Sequence, residues 1–344
     1  MNTTTAFTPY KPELAPALLH LWNAATAGRL PISLRVWRQN VDHDPLFHPD
    51  DCLIATTPDG NPTGFIITRT LTSLDMQANP DMAPYQGFGY IMALAVHPDH
   101  RHRGTGSQLL QWAERRLISR GATVLCPTGP PGHLLPGPPA HEPALQFWLH
   151  RGYSLKAIVH DVRADLSSWR PPAPPAPVAA GNYTLRQGRP GEEGRIVAFL
   201  KASFPGRWRY YLSDAFARGY SPADVTLLCE RGGQIKGFLC TYHEHSGFLG
   251  GGALLHRLLR PGCWGGIGPL GVSADVRGQR LGLALLAAGV SYLHSRGVRD
   301  CSIDWTDLLD FYGRLGFTTW QSYYILEKQA QTQPSATSGI SGSS

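Results

Sequence analysis

Two stretches of the chain share one design: Val96-His97-Pro98-Asp99-His100-Arg101-His102-Arg103-Gly104-Thr105-Gly106 and Val272-Ser273-Ala274-Asp275-Val276-Arg277-Gly278-Gln279-Arg280-Leu281-Gly282, with residue 96 answering to residue 272. In each, an apolar run closes on a valine, a turn containing glycine follows, and amphipathic helical spacing begins at once. A strand that enters a helix through such a turn leaves the first N–H groups of the helix uncovered, and these groups and the helix dipole favour an anion. The duplication implies two similar folded halves, each with its own anion-binding turn.

The 344 residues, 42% of them hydrophobic, are enough for a core in each half. The boundary falls at Ser167 to Gly181, where Pro171, Pro172, Pro174, Pro175 and Pro177 favour an extended spacer that joins neither sheet. We therefore expect an N-terminal domain at 1–166, a proline-rich linker at 167–181, a C-terminal domain at 182–328 and a disordered Ser/Gly/Gln-rich tail at 329–344. Each half reads as strands and helices in the same order. In the first, strands at 52–57, 64–70 and 90–96 precede a helix at 107–120, a short strand at 123–126, a helix at 144–151 and a strand at 153–162. In the second, a strand at 183–186 and helices at 192–203 and 208–217 precede a hairpin at 225–243 around Gly232-Gly233. A strand ending at Val272, a helix at 281–295, a strand at 300–304, a helix at 308–315 and a strand at 319–327 complete it.

Both duplicated turns resemble the signature of the GNAT superfamily of acetyl-CoA-dependent N-acyltransferases: Arg or Gln, two residues, Gly, one residue, Gly or Ala. Arg101, Gly104 and Gly106 match in full, whereas the second copy keeps Arg277 and Gly282 but has Arg280 at the first glycine. The resemblance implies an α/β (α+β) fold of two tandem GNAT-like domains. Each is a mixed, mostly antiparallel sheet flanked by helices, with its fourth and fifth strands splayed to admit the pantetheine arm of acetyl-CoA, the acyl donor. It implies cofactor contacts at Arg101, His102, Arg103, Gly104, Thr105, Gly106 and Ser107, and at Arg277, Gly278, Gln279, Arg280, Leu281 and Gly282. A strand amide near Leu94 to Val96, or Leu270 to Val272, would polarise the thioester.

A departing thiolate needs a proton, which the family supplies from a tyrosine on the following helix. Phe311-Tyr312-Gly313-Arg314-Leu315-Gly316-Phe317 matches that segment, although Trp305 and Leu308 replace its usual Asn and Ala, and Tyr312 is the catalytic candidate. In the first half Phe147 and Trp148 align with Phe311 and Tyr312, so Trp148 takes the tyrosine's place, and an indole has no comparable acid chemistry. Catalysis is therefore expected in the C-terminal half. The base for the amine stays open among His243, Glu244, His245, Asp304 and Asp307, and Asp307 also reads as a helix N-cap. Arg207 to Tyr211 reads as a wall of the acceptor pocket, and the loops at 127–143, with seven prolines, and 247–266 as caps, a lid or packing surfaces. The expected function is N-acetyl transfer from acetyl-CoA to a primary amine of a small molecule or peptide. The alternative, prompted by Arg280 and Trp148, is a non-catalytic acyl-CoA-binding or sensing protein.

The net charge of +6, from 31 Lys+Arg and 25 Asp+Glu, is spread without a polybasic run, so neither nucleic acid nor membrane is expected as a partner. His97, His100 and His102 lie inside the phosphate turn with no carboxylate or cysteine spacing to complete a metal set, so no metal is expected. The six cysteines lack paired spacing, and with no signal peptide in view they read as buried free thiols of a cytoplasmic protein. Two similar halves can pack as a pseudo-dimer, so a monomer or a homodimer is expected.

Overall fold

Each duplicated segment builds strand, turn and helix in the computed structural model, which describes residues 5–127, 132–251, 254–255 and 262–330. In the N-terminal half the order is β1 (Ala6–Pro9), α1 (Ala15–Ala25), α2 (Leu34–Trp37), β2 (Cys52–Thr56), β3 (Pro62–Thr70), α3 (Ser73–Ala78), β4 (Phe88–Val96), α4 (Thr105–Ser119), β5 (Val124–Cys126), α5 (Glu142–Leu149) and β6 (Ser154–Asp165). The linker is not extended throughout, since it holds the short helix α6 (Ala176–Ala179), and the C-terminal half follows with β7 (Tyr183–Gln187), α7 (Glu193–Ser203), α8 (Arg207–Ala217), β8 (Val225–Glu230), β9 (Ile235–His243), β10 (Trp264–Val272), α9 (Leu281–Ser295), β11 (Asp300–Thr306), α10 (Leu309–Gly313) and β12 (Thr318–Gln329).

The strands among the described residues join one twelve-stranded sheet in the order β1-β2-β3-β4-β5-β12-β6-β11-β10-β9-β8-β7. Its centre is an exchange. The last strand of the C-terminal half, β12, lies beside β5, with Lys328 opposite Leu125, and the last strand of the N-terminal half, β6, lies beside β11, with Ile303 opposite Val162. The two exchanged strands also pair with each other from Thr318 to Glu327. The division of the sequence into halves does not reveal this, because hydrophobic pattern fixes which side of a strand is buried but not which neighbour it takes.

Alternating side chains divide the core by face. On β3, Phe65 and Ile67 join Leu18, Leu21 and Trp22 of α1 on one side, while Ile66 meets Leu109, Leu110 and Ala113 of α4 on the other. On β9, Phe238, Cys240 and Tyr242 share that first core with Leu200 and Leu212 of α7 and α8, while Leu239 packs with Leu285 and Leu286 of α9. One core thus runs across both halves on a single face, and each half keeps a separate core on the opposite face. The apolar stripe of α4 ends at Gly121, whose φ of +89° suits the left-handed closing turn. The linker does not stand free: Trp169 Nε1 donates to Ser291 Oγ of α9 at 3.1 Å. No helix among the described residues is long and apolar enough to cross a membrane. Five cysteines are buried, whereas Cys263 is exposed, contrary to the expectation that all six are buried, because it lies just before β10 rather than within it. The expected tail lies, from residue 331 onward, outside the described residues.

Candidate active site

The two turns keep the same backbone although their residues differ. His102 (φ +60°) and Gly104 (φ +85°) are left-handed in the first copy, and Gly278 (φ +79°) and Arg280 (φ +61°) at the matching positions in the second. The glycine has changed places, but both left-handed positions remain. Arg280 therefore holds the N-cap conformation that Gly104 holds, at a cost of about 1 kcal/mol for a residue with a Cβ. The matching arginines of the two copies brace the turns: Arg101 Nε donates to the Val96 carbonyl at 3.2 Å, and Arg277 Nε to the Val272 carbonyl at 3.4 Å. Arg101 also reaches the Ala25 carbonyl at the end of α1, at 2.7 Å. His102, Arg103 and Gly104, and Gly278, Gln279 and Arg280, are exposed, whereas Thr105 and Leu281 anchor the helix starts in the core. A Cβ at Gly106 would lie 3.5 Å from Val96 Cγ2, and one at Gly282 3.8 Å from the Phe311 ring, both ordinary contacts. The protein's own packing therefore does not demand glycine there, and the bare backbone suits a bulky anion set on the first helical turn. In the first copy Arg151 lies over the Phe147 ring at 3.8 Å and donates to Ser107 Oγ at 2.6 Å, which adds a cation beside the start of α4.

Beyond each turn the sheet opens. Parallel pairing of β4 with β5 ends at Tyr90 and Cys126 while β4 continues through Leu94 to Val96, and that of β10 with β11 ends at Ile267 and Ile303 while β10 continues through Leu270 to Val272. In the C-terminal half the opening leads into a cavity of about 270 Å³. Gly268, Pro269 and Leu270 of β10 line one side and Ile303 to Leu308 another, with Tyr312 of α10, Arg207, Trp208 and Tyr211 of α8, Gly251, and His133 from the N-terminal half. The segment at Arg207 to Tyr211 thus contributes cavity wall through three of its five residues. Gly251 lies in the 247–266 loop and His133 in the 127–143 loop; residues 128–131, 252–253 and 256–261 of these loops lie outside the described residues.

A bulge shapes the acidic side. Between the pairs Ile303 with Val162 and Thr306 with His160, two residues of β11, Asp304 and Trp305, face one of β6, Asp161. Trp305 is left-handed there (φ +49°), and its N–H donates to Asp161 Oδ1 at 3.0 Å. Such a bulge redirects side chains at the end of a strand, and Asp304 lines the cavity as a result. Asp161 is buried and also accepts from Tyr323 Oη at 2.9 Å. Burial, and then the Asp304 charge, push its carboxyl up to about 8. Arg207 lies over the Trp305 ring at 4.7 Å.

Tyr312 is 8% exposed and packs against Phe311 and Phe317, with centroids 5.0 and 6.3 Å away. Burial, then Asp304 and Asp307, push its hydroxyl up to about 12, so it keeps its proton throughout the physiological range. Trp148 is buried with its ring 4.9 Å from that of Tyr153, the position matching Phe317. Of the candidate bases, Asp304 and Asp307 line the cavity. His243 does not: it is buried, with Nε2 3.0 Å from Asp224 Oδ1, in a group that also holds Ser246 and Tyr292. Glu244 and His245 follow on the turn after β9 and are also absent from the cavity wall. Asp307 is not an N-cap either, because α10 begins later, at Leu309, and Thr306 Oγ1 takes the Leu308 N–H at 3.0 Å. Among the described residues no three metal-ligating side chains converge. Sequence reasoning missed His133 and Asp161. An aspartate between Val159 and Val162, in a segment that reads as a strand, was the one available signal, since a buried carboxyl needs a partner.

The family model described as Acetyltransferase (GNAT) family matches residues 16–131 and 192–317. The chain belongs to the GNAT acetyltransferase family. It is an acyltransferase with two GNAT regions in tandem. A mycothiol acetyltransferase of Amycolatopsis mediterranei (strain U-32) is 31% identical over 249 residues, 67% of this chain and 73% of the relative. Among solved structures, a GCN5-related glucosamine N-acetyltransferase region of a fungal multi-domain GH3 β-N-acetylglucosaminidase superposes with a TM-score of 0.80 at 22% identity, covering 95% of this chain and 38% of that one. A tandem GNAT protein from the clavulanic acid biosynthesis pathway superposes with a TM-score of 0.66 at 18% identity, covering 96% of this chain and 100% of that one. At these identities the two structures speak to the fold, which is that of a tandem GNAT protein.

Proposed function

We propose that this GNAT enzyme transfers an acetyl group from acetyl-CoA to the primary amine of a small molecule, in the cavity of its C-terminal half. The observation that carries the reading is the meeting, in one cavity, of the opened β10–β11 edge, the Tyr312 hydroxyl and an acidic wall. The turn from Arg277 to Gly282 would take the pyrophosphate on backbone N–H groups, with Arg280 adding charge, and the strand opening would take the pantetheine arm. An amide near Leu270 would polarise the thioester carbonyl. Asp304 and Asp307 would draw the acceptor's ammonium group into line with it, and Tyr312 would protonate the leaving thiolate. Relatives named for mycothiol and for glucosamine support an acceptor of amino-sugar size, and the cavity has room for one such ring beside Trp208 and Trp305. The N-terminal half keeps the anion turn, with Arg151 added, but has Trp148 in the tyrosine's place, which supports binding of the cofactor there without turnover.

The test is release of free thiol from acetyl-CoA with glucosamine as the amine. Tyr312→Phe is expected to lower kcat by about 10² or more while leaving the KM for acetyl-CoA near its original value, since the variant loses a proton donor and no packing. Unchanged turnover in this variant would remove Tyr312 as the acid and the C-terminal cavity as the active site.

A further inference from the structure

We propose that His133, carried by the N-terminal half, is the general base for the amine acetylated in the C-terminal half, with Asp304 orienting its ring; this rests on the reading of the C-terminal cavity as the acceptor site. The loop between β5 and α5 crosses to the other half and brings His133 to the cavity wall, where its side chain is 16% exposed. Its Nε2 lies 3.4 Å from Asp304 Oδ2, a separation of the kind that tightens when substrate binds. With the carboxylate oxygen of Asp304 as the acceptor, Nε2 carries the hydrogen and Nδ1 holds the free lone pair. Among the described residues Nδ1 has no hydrogen-bond partner. The ring stands nearly perpendicular to that of Trp305, with centroids 5.0 Å apart.

The backbone beneath is held from the same half. The single π-helical turn after α2, Arg38–Asp42, presents Gln39 and Asn40, both buried. Asn40 Nδ2 donates to the His133 carbonyl at 2.9 Å, and Gln39 Nε2 donates to Asn40 Oδ1 at 2.8 Å. Gln39 also pairs with Leu249 in both directions, at 2.7 and 2.8 Å, and so ties the segment leading to Gly251 to the same turn. π turns of this kind recur at functional sites. Two loops that line the cavity thus share one anchor.

In the reaction the N–C bond forms and the C–S bond breaks. His133 Nδ1 takes one proton of the substrate ammonium, which leaves to solvent as the net proton of the reaction. The second passes by way of the Tyr312 hydroxyl to sulfur, so CoA departs as the neutral thiol. The titratable and charged groups that line the cavity with the imidazole are Asp304 of β11, Asp307 after it, Asp161 of β6 and Arg207 of α8, with Tyr211 and Tyr312. A carboxylate beside the ring favours the imidazolium that forms.

The experiment uses the full chain, acetyl-CoA and glucosamine, with His133→Ala, His133→Phe and Asp304→Asn. His133→Ala is expected to lose about 10² in kcat with little change in the KM for acetyl-CoA, and added imidazole is expected to restore part of the loss. Asp304→Asn is expected to move the acidic limb of the kcat profile to lower pH, because the imidazolium loses its carboxylate. Independently of any amine, nitrogen NMR of the resting enzyme is expected to find His133 as the Nε2–H tautomer. Repair by His133→Phe without rescue by imidazole would reduce His133 to packing and overturn the inference. So would the Nδ1–H tautomer. Full turnover in His133→Ala alongside a crippled Tyr312→Phe would sink the base and leave the acceptor site standing; two silent variants would sink both.

Discussion

Leu326→Ala tests the strand exchange through its energetics. Leu326 belongs by sequence to the C-terminal half, yet it is fully buried in the N-terminal core with Leu109, Leu117, Leu125 and Trp148. Removing the buried isobutyl group costs its transfer free energy plus the cavity left behind, about 2–5 kcal/mol for such a site. At about 2 °C per kcal/mol, the low end for domains and apt for a large cooperative unit, the melting temperature should fall by about 4–10 °C. Because β12 is held on both sides, by β5 and β6, and the opposite face of the sheet shares one core across the halves, the loss should be felt by the whole chain. Scanning calorimetry of the full chain should show one transition that moves as a unit. Val162→Ala is the reciprocal control, since Val162 comes from the N-terminal sequence but packs with Val276, Leu285 and Ile303 in the C-terminal core. Two resolved transitions, only one of them shifted by Leu326→Ala, would refute the coupling.

Asp161→Asn probes the buried carboxyl. Its folded pKa is raised, to about 8, above the unfolded value near 4, so the native state binds the extra proton between these values and stability falls as pH rises through that window. Asparagine does not titrate, so the variant should gain in melting temperature relative to the parent at pH 9 and lose that gain at pH 5; an equal difference at both would contradict the assignment. Arg280→Gly removes an exposed cation and relieves a left-handed side-chain residue. The KM for acetyl-CoA should rise about three- to tenfold at low ionic strength and the difference should shrink at about 0.5 M salt, with no loss of melting temperature. A salt-independent effect would argue against a charge contact with the pyrophosphate.

Local features were legible where a periodic pattern met a local stop. The helix at 281–295 was read to the residue, since its apolar run begins after Arg280 and ends before Arg296-Gly297, and the hairpin at 225–243 followed from Gly232-Gly233 between apolar runs. The short helix at Leu34–Trp37 and its π turn escaped, because four residues give too little periodicity to register. In the site, Tyr312 and the glycine turns stood out by motif. His133 did not, since its loop reads as a run of prolines and its partner, Asp304, lies far along the chain. The bulge at Asp304–Trp305 was equally hidden: tryptophan gives no warning of a left-handed backbone, whose N–H here donates to the Asp161 carboxyl.

The crossed strands also set a timetable for synthesis. The strand that completes the sheet beside β5 is residues 318–329, the last of all twelve to leave the ribosome. The N-terminal half therefore cannot reach its native pairing while the C-terminal half is still being made, and β6 has to wait without β11 and β12 for most of that interval. The native pairing at the centre of the sheet is complete only once residues 318–329 have been made.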